Sequence, residues 1–313
     1  MKKTALVNLI CKSNLISLLM LIGCQPLRPL AEIRAQKPAS FIEVAGQPIH
    51  VERWGDGPPE VVLLHGMAAS TYSFRKLGSL MATRGNVLAV DLNGFGFTGR
   101  PADPAAYTLG GQAAMVRRVV EHLGGRKIVL VGHSYGALVA IEMASRHPET
   151  VESLVLISPP VGEAPLPWYL RSSLARTAMY PLIRVFLSRP DSFRRAFASA
   201  FYRDDAFTTD DAEAYRERLL VEGLWNAYRG LTAAVSVGGP APTGKAASLD
   251  VPITILAGQH DKIVPLENLQ KFAASMPGVE LKILQQSGHS SPEEEPGQVA
   301  ELIRKARESR SRQ

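Results

Sequence analysis

The sequence predicts an α/β protein, with a mostly parallel central sheet that carries helices on both faces. Strand-like segments alternate with segments of helical periodicity along most of the 313 residues, and this alternation is typical of parallel strands joined by helical crossovers. Several of the strand-like segments, such as VVLL and IVLV, are apolar without interruption, as expected of strands buried on both faces. The length allows one large domain or two modest ones.

The regular pattern begins at residue 41. FIEVAGQPIHVERWG predicts a hairpin that turns near Ala45 and Gly46, and EVVLLHG predicts the first buried strand. A helix is expected around 74–83, then a strand in NVLAVDL and a helix in GGQAAMVRRVVEHLG that Gly124 ends. KIVLVGHS, ALVAIEMASRH and VESLVLISPP continue as strand, helix and strand. The series resumes with strands in VPITILAGQHD and VELKILQQSGH, each followed by a helix.

Between these two blocks, residues 161–250 carry no strand signal. This segment is helical in pattern and rich in aromatic side chains, and GGPAPTGK near its end resembles a flexible return. We interpret it as a helical cap inserted over the carboxyl edge of the sheet. The core is then formed by residues 41–160 and 251–313. Most of the cap aromatics are expected to pack against one another, and a few are expected to line a pocket beneath the cap.

The amino terminus has the pattern of a secretory signal. MKK is followed by the apolar run of residues 15–23, which is too short to span a bilayer. The run ends in LIGC, which resembles the lipobox of bacterial lipoproteins and implies cleavage after residue 23 and a lipid on Cys24. Gln25 then implies the outer membrane of a diderm bacterium, on the side facing the periplasm. A plain signal peptide, giving a soluble secreted protein, and an uncleaved anchor remain alternatives. The proline-containing residues 24–40 are interpreted as a semi-extended tether.

Composition excludes several other classes of function. The net charge is +6, but residues 1–23 hold three lysines and no acid, and the last ten residues hold five basic groups and one acid. The remaining body therefore carries about −1, which argues against a nucleic-acid partner. The two cysteines, Cys11 and Cys24, both lie near the amino terminus, so no disulfide framework or metal site is expected in the body.

Gly-His-Ser-Tyr-Gly, residues 132–136, interrupts this pattern between a predicted strand and a predicted helix. A serine at such a turn is the arrangement of a nucleophile elbow, which makes Ser134 the candidate nucleophile. A serine hydroxyl needs a base to take its proton. His289 follows the last predicted strand, and Asp261 follows the strand before it, so the chain order is Ser, Asp, His.

These motifs together resemble the α/β-hydrolase fold family over about residues 41–309, with the insertion at the position of the family's cap. The features that carry the resemblance are LLHGMAAS, DLNGFGFTGRP, GHSYGAL, GQHDKIVP and SGHSSPEEEP. It implies a catalytic triad of Ser134, Asp261 and His289, and an oxyanion hole formed by the backbone N–H groups of Met67 and Tyr135. It implies no cofactor and no metal.

Four polar residues near these motifs are expected to have structural roles. His65 is expected to organise its loop, and Asp91 is expected to stabilise the loop that follows it. His260 is expected to belong to the turn before Asp261. His133 is expected to pack away from Ser134.

The family leaves the position of the acid and the reaction open. Some members place the acid after the strand VESLVLIS, where this chain has Ser158, Pro159 and Pro160 and no carboxylate nearer than Glu163. We therefore favour Asp261. The expected reaction is hydrolysis of an apolar small-molecule carboxylic ester or lactone, of open acyl-chain length, by an enzyme anchored to the cell envelope. Carbon–carbon bond hydrolysis, serine haloperoxidase chemistry and a non-catalytic binding protein on the same scaffold stay as alternatives, and the oligomeric state stays open.

Overall fold

The central sheet has eight strands in the order β1-β2-β4-β3-β5-β6-β7-β8. The computed structural model describes residues 25–161, 172–237 and 243–308. β1 and β2 form an antiparallel hairpin, β2 pairs antiparallel with β4, and all other neighbouring strands are parallel. This confirms the predicted fold class. The strands are β1 (Phe41–Val44), β2 (Gln47–Trp54), β3 (Val61–Leu64), β4 (Val87–Val90), β5 (Ile128–His133), β6 (Val151–Ile157), β7 (Ile253–Gly258) and β8 (Glu280–Leu284).

Helices connect the strands and cover the sheet. Those of the core are α1 (Leu30–Gln36), α2 (Arg75–Met81), α3 (Leu109–His122), α4 (Tyr135–Arg146), α10 (Leu266–Ala274), α11 (Ser291–Glu294) and α12 (Pro296–Glu308). Those of the insertion are α5 (Ser173–Leu187), α6 (Pro190–Ala198), α7 (Thr209–Leu219), α8 (Leu224–Val237) and α9 (Thr243–Ala246). The described part of the insertion holds helices and no strand of the sheet.

Alternation of side chains along the strands divides the core into two layers. In β3, Val62 and Leu64 belong to the cluster beneath α3 and α4, whereas Val61 and Leu63 belong to the cluster beneath α2 and α12. All four side chains are at most 3% exposed, because successive side chains of a strand point to opposite faces and both faces are covered.

The predicted hairpin turn lies between β1 and β2. Ala45 has φ 52° and Gly46 has φ 75°. Positive φ at both central residues of a two-residue hairpin loop gives a turn whose twist matches that of the strands.

The segment before the hairpin departs from the semi-extended tether that we expected. Residues 30–36 form α1, and its Ile33 is 1% exposed and packs in a small cluster with Phe97 and Val221. The helix is seven residues long and buries only Ile33. It therefore shows no apolar periodicity in the sequence, and the prolines beside it suggested an extended chain. Within the described residues, no helix combines the length and apolar character needed to cross a bilayer.

Candidate active site

The predicted nucleophile stands at the junction of β5 and α4. Ser134 has φ 51° and ψ −118°, a conformation that costs an L-residue about 1–3 kcal/mol and is typical of functional sites. Gly132 and Gly136 permit this turn because other backbone atoms lie too close to them to leave room for a side chain. A Cβ on Gly132 would lie 2.5 Å from the Cα of Ala137, and one on Gly136 would lie 2.2 Å from the carbonyl oxygen of Leu64. The elbow therefore requires both glycines.

The predicted acid and base are hydrogen-bonded to each other. His289 Nδ1 lies 2.8 Å from Asp261 Oδ2, and both residues are buried. The other carboxylate oxygen, Oδ1, accepts the backbone N–H groups of Ile263 and Val264, each at 2.8 Å. Burial alone would raise the pKa of Asp261, but the hydrogen bond and charge of His289 and the N–H of Val264 together hold it below its usual value. An ionised Asp261 fixes the His289 tautomer with its proton on Nδ1, which leaves Nε2 free to accept a proton.

The backbone of His289 is also fixed, on one side by the cap. Its N–H donates to the carbonyl oxygen of Ala200 at 2.8 Å, and the N–H of Ser290 donates to the same oxygen at 3.2 Å. The preceding Gly288 has no room for a side chain, because a Cβ there would lie 2.9 Å from the backbone nitrogen of Tyr202. The cap therefore contacts the histidine loop through backbone atoms of both segments.

His133 joins the nucleophile strand to the same loop, a role that the sequence did not suggest. Its Nε2 lies 2.8 Å from the carbonyl oxygen of His289, and the two rings lie 5.0 Å apart. Because a carbonyl only accepts, Nε2 carries the proton and donates it. Burial, together with the charge of His289, lowers the pKa of His133 to about 3, so His133 is uncharged at neutral pH. Since Ser134 follows His133 directly, this hydrogen bond holds the base-bearing loop beside the elbow.

The loop of the predicted oxyanion hole lies against Ser134. A Cβ on Gly66 would be 3.2 Å from Ser134 Cβ, so only a glycine lets the loop come this close without displacement. Met67 and Ala68 form a turn closed by the N–H of Ala69 on the carbonyl oxygen of Gly66 at 3.2 Å, and Ala68 has φ 57°.

The second predicted donor, Tyr135, is the first residue of α4. The first N–H groups of a helix have no partner within it, and the helix dipole favours negative charge at that end.

His65 and Asp91 hold the neighbouring loops, as the sequence indicated. His65 Nε2 accepts the N–H of Leu92 at 3.0 Å, and its Nδ1 lies 2.8 Å from the Gly66 carbonyl. Asp91 accepts the N–H groups of Thr71 at 2.6 Å and Phe97 at 2.9 Å. Among the described residues, neither His65 nor Asp91 forms a hydrogen bond with Ser134, Asp261 or His289.

The acidic run after His289 has a structural role that sequence reasoning missed. Glu294 accepts the backbone N–H groups of three residues, Tyr202 at 2.7 Å, Arg203 at 3.2 Å and Gly288 at 2.8 Å. Its carboxylate thereby ties the cap to the histidine loop. The signal in the sequence was three consecutive glutamates after a glycine-histidine pair, since acids adjacent to a loop can accept its backbone N–H groups.

Glu293 forms a second link to the cap. Arg75 binds Glu293 and the cap residue Asp211, each at 2.5 Å, and Tyr215 of α7 donates its hydroxyl hydrogen to Glu293. Burial raises the pKa of Glu293 in spite of the opposing charge of Arg75. The loop that carries His289 is therefore braced against α7 as well as against residues 200–203.

The two chain positions that the family allows for the acid lie next to each other in this structure. Ser158, at the end of β6, lies beside the Asp261 carboxylate, so both family positions lead to one place in this fold, and here the carboxylate comes from Asp261. Glu163 and Cys24 lie outside the described residues. His260 stacks on the cap residue Tyr202 with ring centroids 3.6 Å apart.

Comparison with known proteins gives a family model described as "alpha/beta hydrolase fold" that matches residues 59–296. A curated protein, the uncharacterised hydrolase YugF of Bacillus subtilis, is 24% identical over 278 residues, covering 87% of this chain and 98% of its own. Among solved structures, 2-hydroxy-6-oxo-6-phenylhexa-2,4-dienoate hydrolase of Rhodococcus sp. strain RHA1 has a TM-score of 0.70 at 21% identity, covering 85% of this chain and 97% of its own. A thermophilic esterase of Thermogutta terrifontis has a TM-score of 0.67 at 22% identity, with coverages of 85% and 96%.

Proposed function

Because the chain belongs to the α/β-hydrolase fold family, we propose that it is a serine hydrolase that cleaves carboxylic esters or lactones through an acyl-serine intermediate. The observation that carries the proposal is the buried hydrogen bond of His289 to Asp261, held next to the strained elbow of Ser134 by His133. Titratable groups that are desolvated, oriented by a second group and placed beside a nucleophile are typical of an acid–base site.

The proposed reaction follows from the roles of these groups. His289 Nε2 takes the hydroxyl proton of Ser134 while Oγ attacks the ester carbonyl, and Asp261 stabilises the resulting imidazolium. The N–H groups of Met67 and Tyr135 stabilise the oxyanion, and one such donor contributes about 3 kcal/mol to transition-state stabilisation. His289 then protonates the leaving alkoxide, and a water molecule hydrolyses the acyl-serine by the same steps.

The residue at the elbow argues against one neighbouring reaction class. Displacement at an alkyl carbon by related enzymes uses an aspartate nucleophile, and this chain has Ser134 at that position. Carbon–carbon bond hydrolysis and serine haloperoxidase chemistry use a serine, so substrate assays separate them from ester hydrolysis. A panel of esters and lactones graded by acyl length, with a vinylogous 1,5-diketone as the carbon–carbon substrate, gives that separation.

Covalent labelling tests the proposal most directly. We expect a fluorophosphonate to label the wild-type protein at Ser134 and to leave Ser134→Ala unlabelled, with circular dichroism as the folding control. Loss of the nucleophile of a triad lowers turnover on the order of 10⁶-fold. A Ser134→Ala variant that kept more than a few per cent of the activity on an activated ester would contradict the mechanism, and a wild type that neither reacts nor turns over would favour the binding-protein alternative.

The proposal includes attachment to the cell envelope through a lipid on Cys24. The support is the sequence pattern LIGC after a short apolar run. The alternative is a soluble secreted enzyme produced by cleavage beyond residue 24. Mass spectrometry of the mature amino terminus distinguishes the two.

A further inference from the structure

The described chain begins on the cap, directly after the predicted attachment residue Cys24. The backbone N–H of Gln25 donates to Ser188 Oγ at 2.9 Å. Its carbonyl oxygen accepts from Arg184 Nη2 at 2.7 Å, and its side-chain Oε1 accepts from Arg216 Nη1 at 2.5 Å. Both arginines are at most 8% exposed, so their positions are set by the cap interior. Gln25 is therefore held by buried groups of α5 and α7.

The next residues continue this attachment. The N–H of Arg28 donates to the carbonyl oxygen of Leu220 at 2.8 Å, and the carbonyl oxygen of Arg28 accepts the N–H of Glu222 at 2.9 Å. These bonds form a parallel bridge between Arg28 and Val221. An anchor on Cys24 is thus one residue from a fixed point on the cap, with no linker between them. An uncleaved apolar run at 15–23 would lie just as close.

Among the described residues, six large apolar side chains are exposed by 40% or more. Five of the six lie on the cap or at the rim of the site. Leu174 and Leu182 of α5 are 78% and 46% exposed, and they project from the same side of the helix about two turns apart. Beside the triad, three further side chains are exposed by 40% or more: Met67, Tyr202 and Ile263. Leu80, at 51%, is the remaining one and lies on α2, away from the cap.

The same part of the cap is basic. Besides the buried Arg184, residues 172–200 carry four arginines and one acid, namely Arg176, Arg189, Arg194, Arg195 and Asp191. Arginines close to an anionic lipid surface favour association with that surface. Apolar side chains beside basic ones on one surface are the pattern of an interfacial segment.

We propose that α5 and α6 of the cap rest on an anionic lipid surface and that the enzyme hydrolyses acyl esters of amphiphiles drawn from that surface. The hydrolysis of amphiphile esters in this proposal rests on the serine-hydrolase function proposed above. Ser134 Oγ bonds to the acyl carbon as the ester C–O bond breaks, and His289 passes the serine proton to the departing alcohol, the deacylated lipid. Water then releases the fatty acid and restores the serine hydroxyl. In this proposal, the acyl chain reaches Ser134 along the exposed rim beside the triad.

The test compares two esters with one pair of matched variants. Full-length protein is reconstituted into vesicles of phosphatidylethanolamine and phosphatidylglycerol, and fatty-acid release from the vesicle lipid is measured beside hydrolysis of soluble p-nitrophenyl butyrate. We expect the double variant Leu174→Asp, Leu182→Asp to lose about tenfold or more on vesicle lipid, because each charge must leave the lipid surface. Its rate on the soluble ester should stay within about twofold of wild type, since neither side chain lies at the triad. Leu80→Asp is the control and should match wild type on both.

A second readout does not depend on turnover. Backbone hydrogen exchange in α5 should slow when the vesicles are added, whereas exchange in α12 should not change. Wild-type activity on the soluble ester without activity on vesicle lipid, or a double variant as fast as wild type on vesicle lipid, would overturn the inference while leaving the proposed function intact. An α5 whose exchange slows with protein concentration and not with vesicles would identify the face as a protein contact and would also overturn it. Inactivity on both esters would refute the proposed function, and the exchange measurement would then decide the docking alone.

Discussion

Replacement of His133 tests how the nucleophile strand holds the proposed catalytic histidine. In the folded protein, His133 is 6% exposed and its pKa is lowered to about 3, whereas an unfolded histidine titrates near ~6.5. As the pH falls below ~6.5, the unfolded chain binds a proton that the folded protein does not, so the free energy of unfolding decreases. The stability that the uncharged His133 contributes is fully present above pH ~6.5, and it is lost progressively as the pH falls towards the folded-state pKa of about 3.

The size of this change in the free energy of unfolding follows from the difference between the folded-state and unfolded-state pKa values of His133. At pH 5, preferential protonation of the unfolded chain lowers the free energy of unfolding by about 2 kcal/mol relative to pH 7 for this one group. His133→Gln removes the titration and keeps a side-chain N–H that can reach the His289 carbonyl, so its loss of stability between pH 7 and pH 5 should be smaller by about that amount. His133→Leu also removes the donor and leaves a buried carbonyl unsatisfied, which costs about 1–3 kcal/mol at either pH.

Urea unfolding at pH 7 and pH 5 measures these changes, with His122→Gln on the exposed side of α3 as the matched control. Turnover at pH 7 gives the second readout. His133→Gln should retain most of it, and His133→Leu should lower kcat with little change in KM, because the base and not the substrate contacts is displaced. A His133→Gln variant with the same pH dependence of stability as wild type would refute the reasoning.

Three further predictions follow from the triad, the cap contact and the amino terminus. Asp261→Asn should keep the fold, checked by circular dichroism, and lower turnover by roughly 10⁴-fold, because the amide favours the wrong imidazole tautomer; a large loss in Glu163→Gln beside a nearly normal Asp261→Asn would place the acid elsewhere. Glu294→Ala leaves three backbone N–H groups without their acceptor and should lower the free energy of unfolding by about 1–3 kcal/mol and lower kcat. Glu301→Ala on α12 removes only ion pairs at the surface, so it should cost less stability and leave kcat unchanged. Equal turnover in the two variants would argue against a role of Glu294 in holding the histidine loop to the cap. Cys24→Ala should release the enzyme from membranes or leave it as an unprocessed precursor, as judged by fractionation and mass spectrometry, and an unchanged membrane fraction would point to an uncleaved anchor.

The sequence predicts those features of this protein that depend on neighbouring residues. The hairpin, the elbow around Ser134 and the ends of the core strands are specified by glycine positions and short apolar runs, so each can be recognised within about ten residues of chain. The short helix α1 could not be recognised, because a helix of about two turns that buries only Ile33 leaves no periodic signal. Its position depends on Phe97 and Val221, which are far away in the chain.

The contacts around His289 show why other parts of the site could not be predicted from the sequence. Its side chain is oriented by Asp261, which the order of motifs suggested, but its carbonyl is held by His133, its N–H by Ala200 and the preceding N–H by Glu294. The bonds from His133 and to Ala200 join backbone groups of this loop to segments that are far away in the chain, and backbone groups are the same at every position of a sequence. Only the folded chain selects their partners. The base of the proposed triad therefore depends on the cap for its backbone position, so a substrate that shifts residues 200–203 on entry would also shift His289 relative to Ser134.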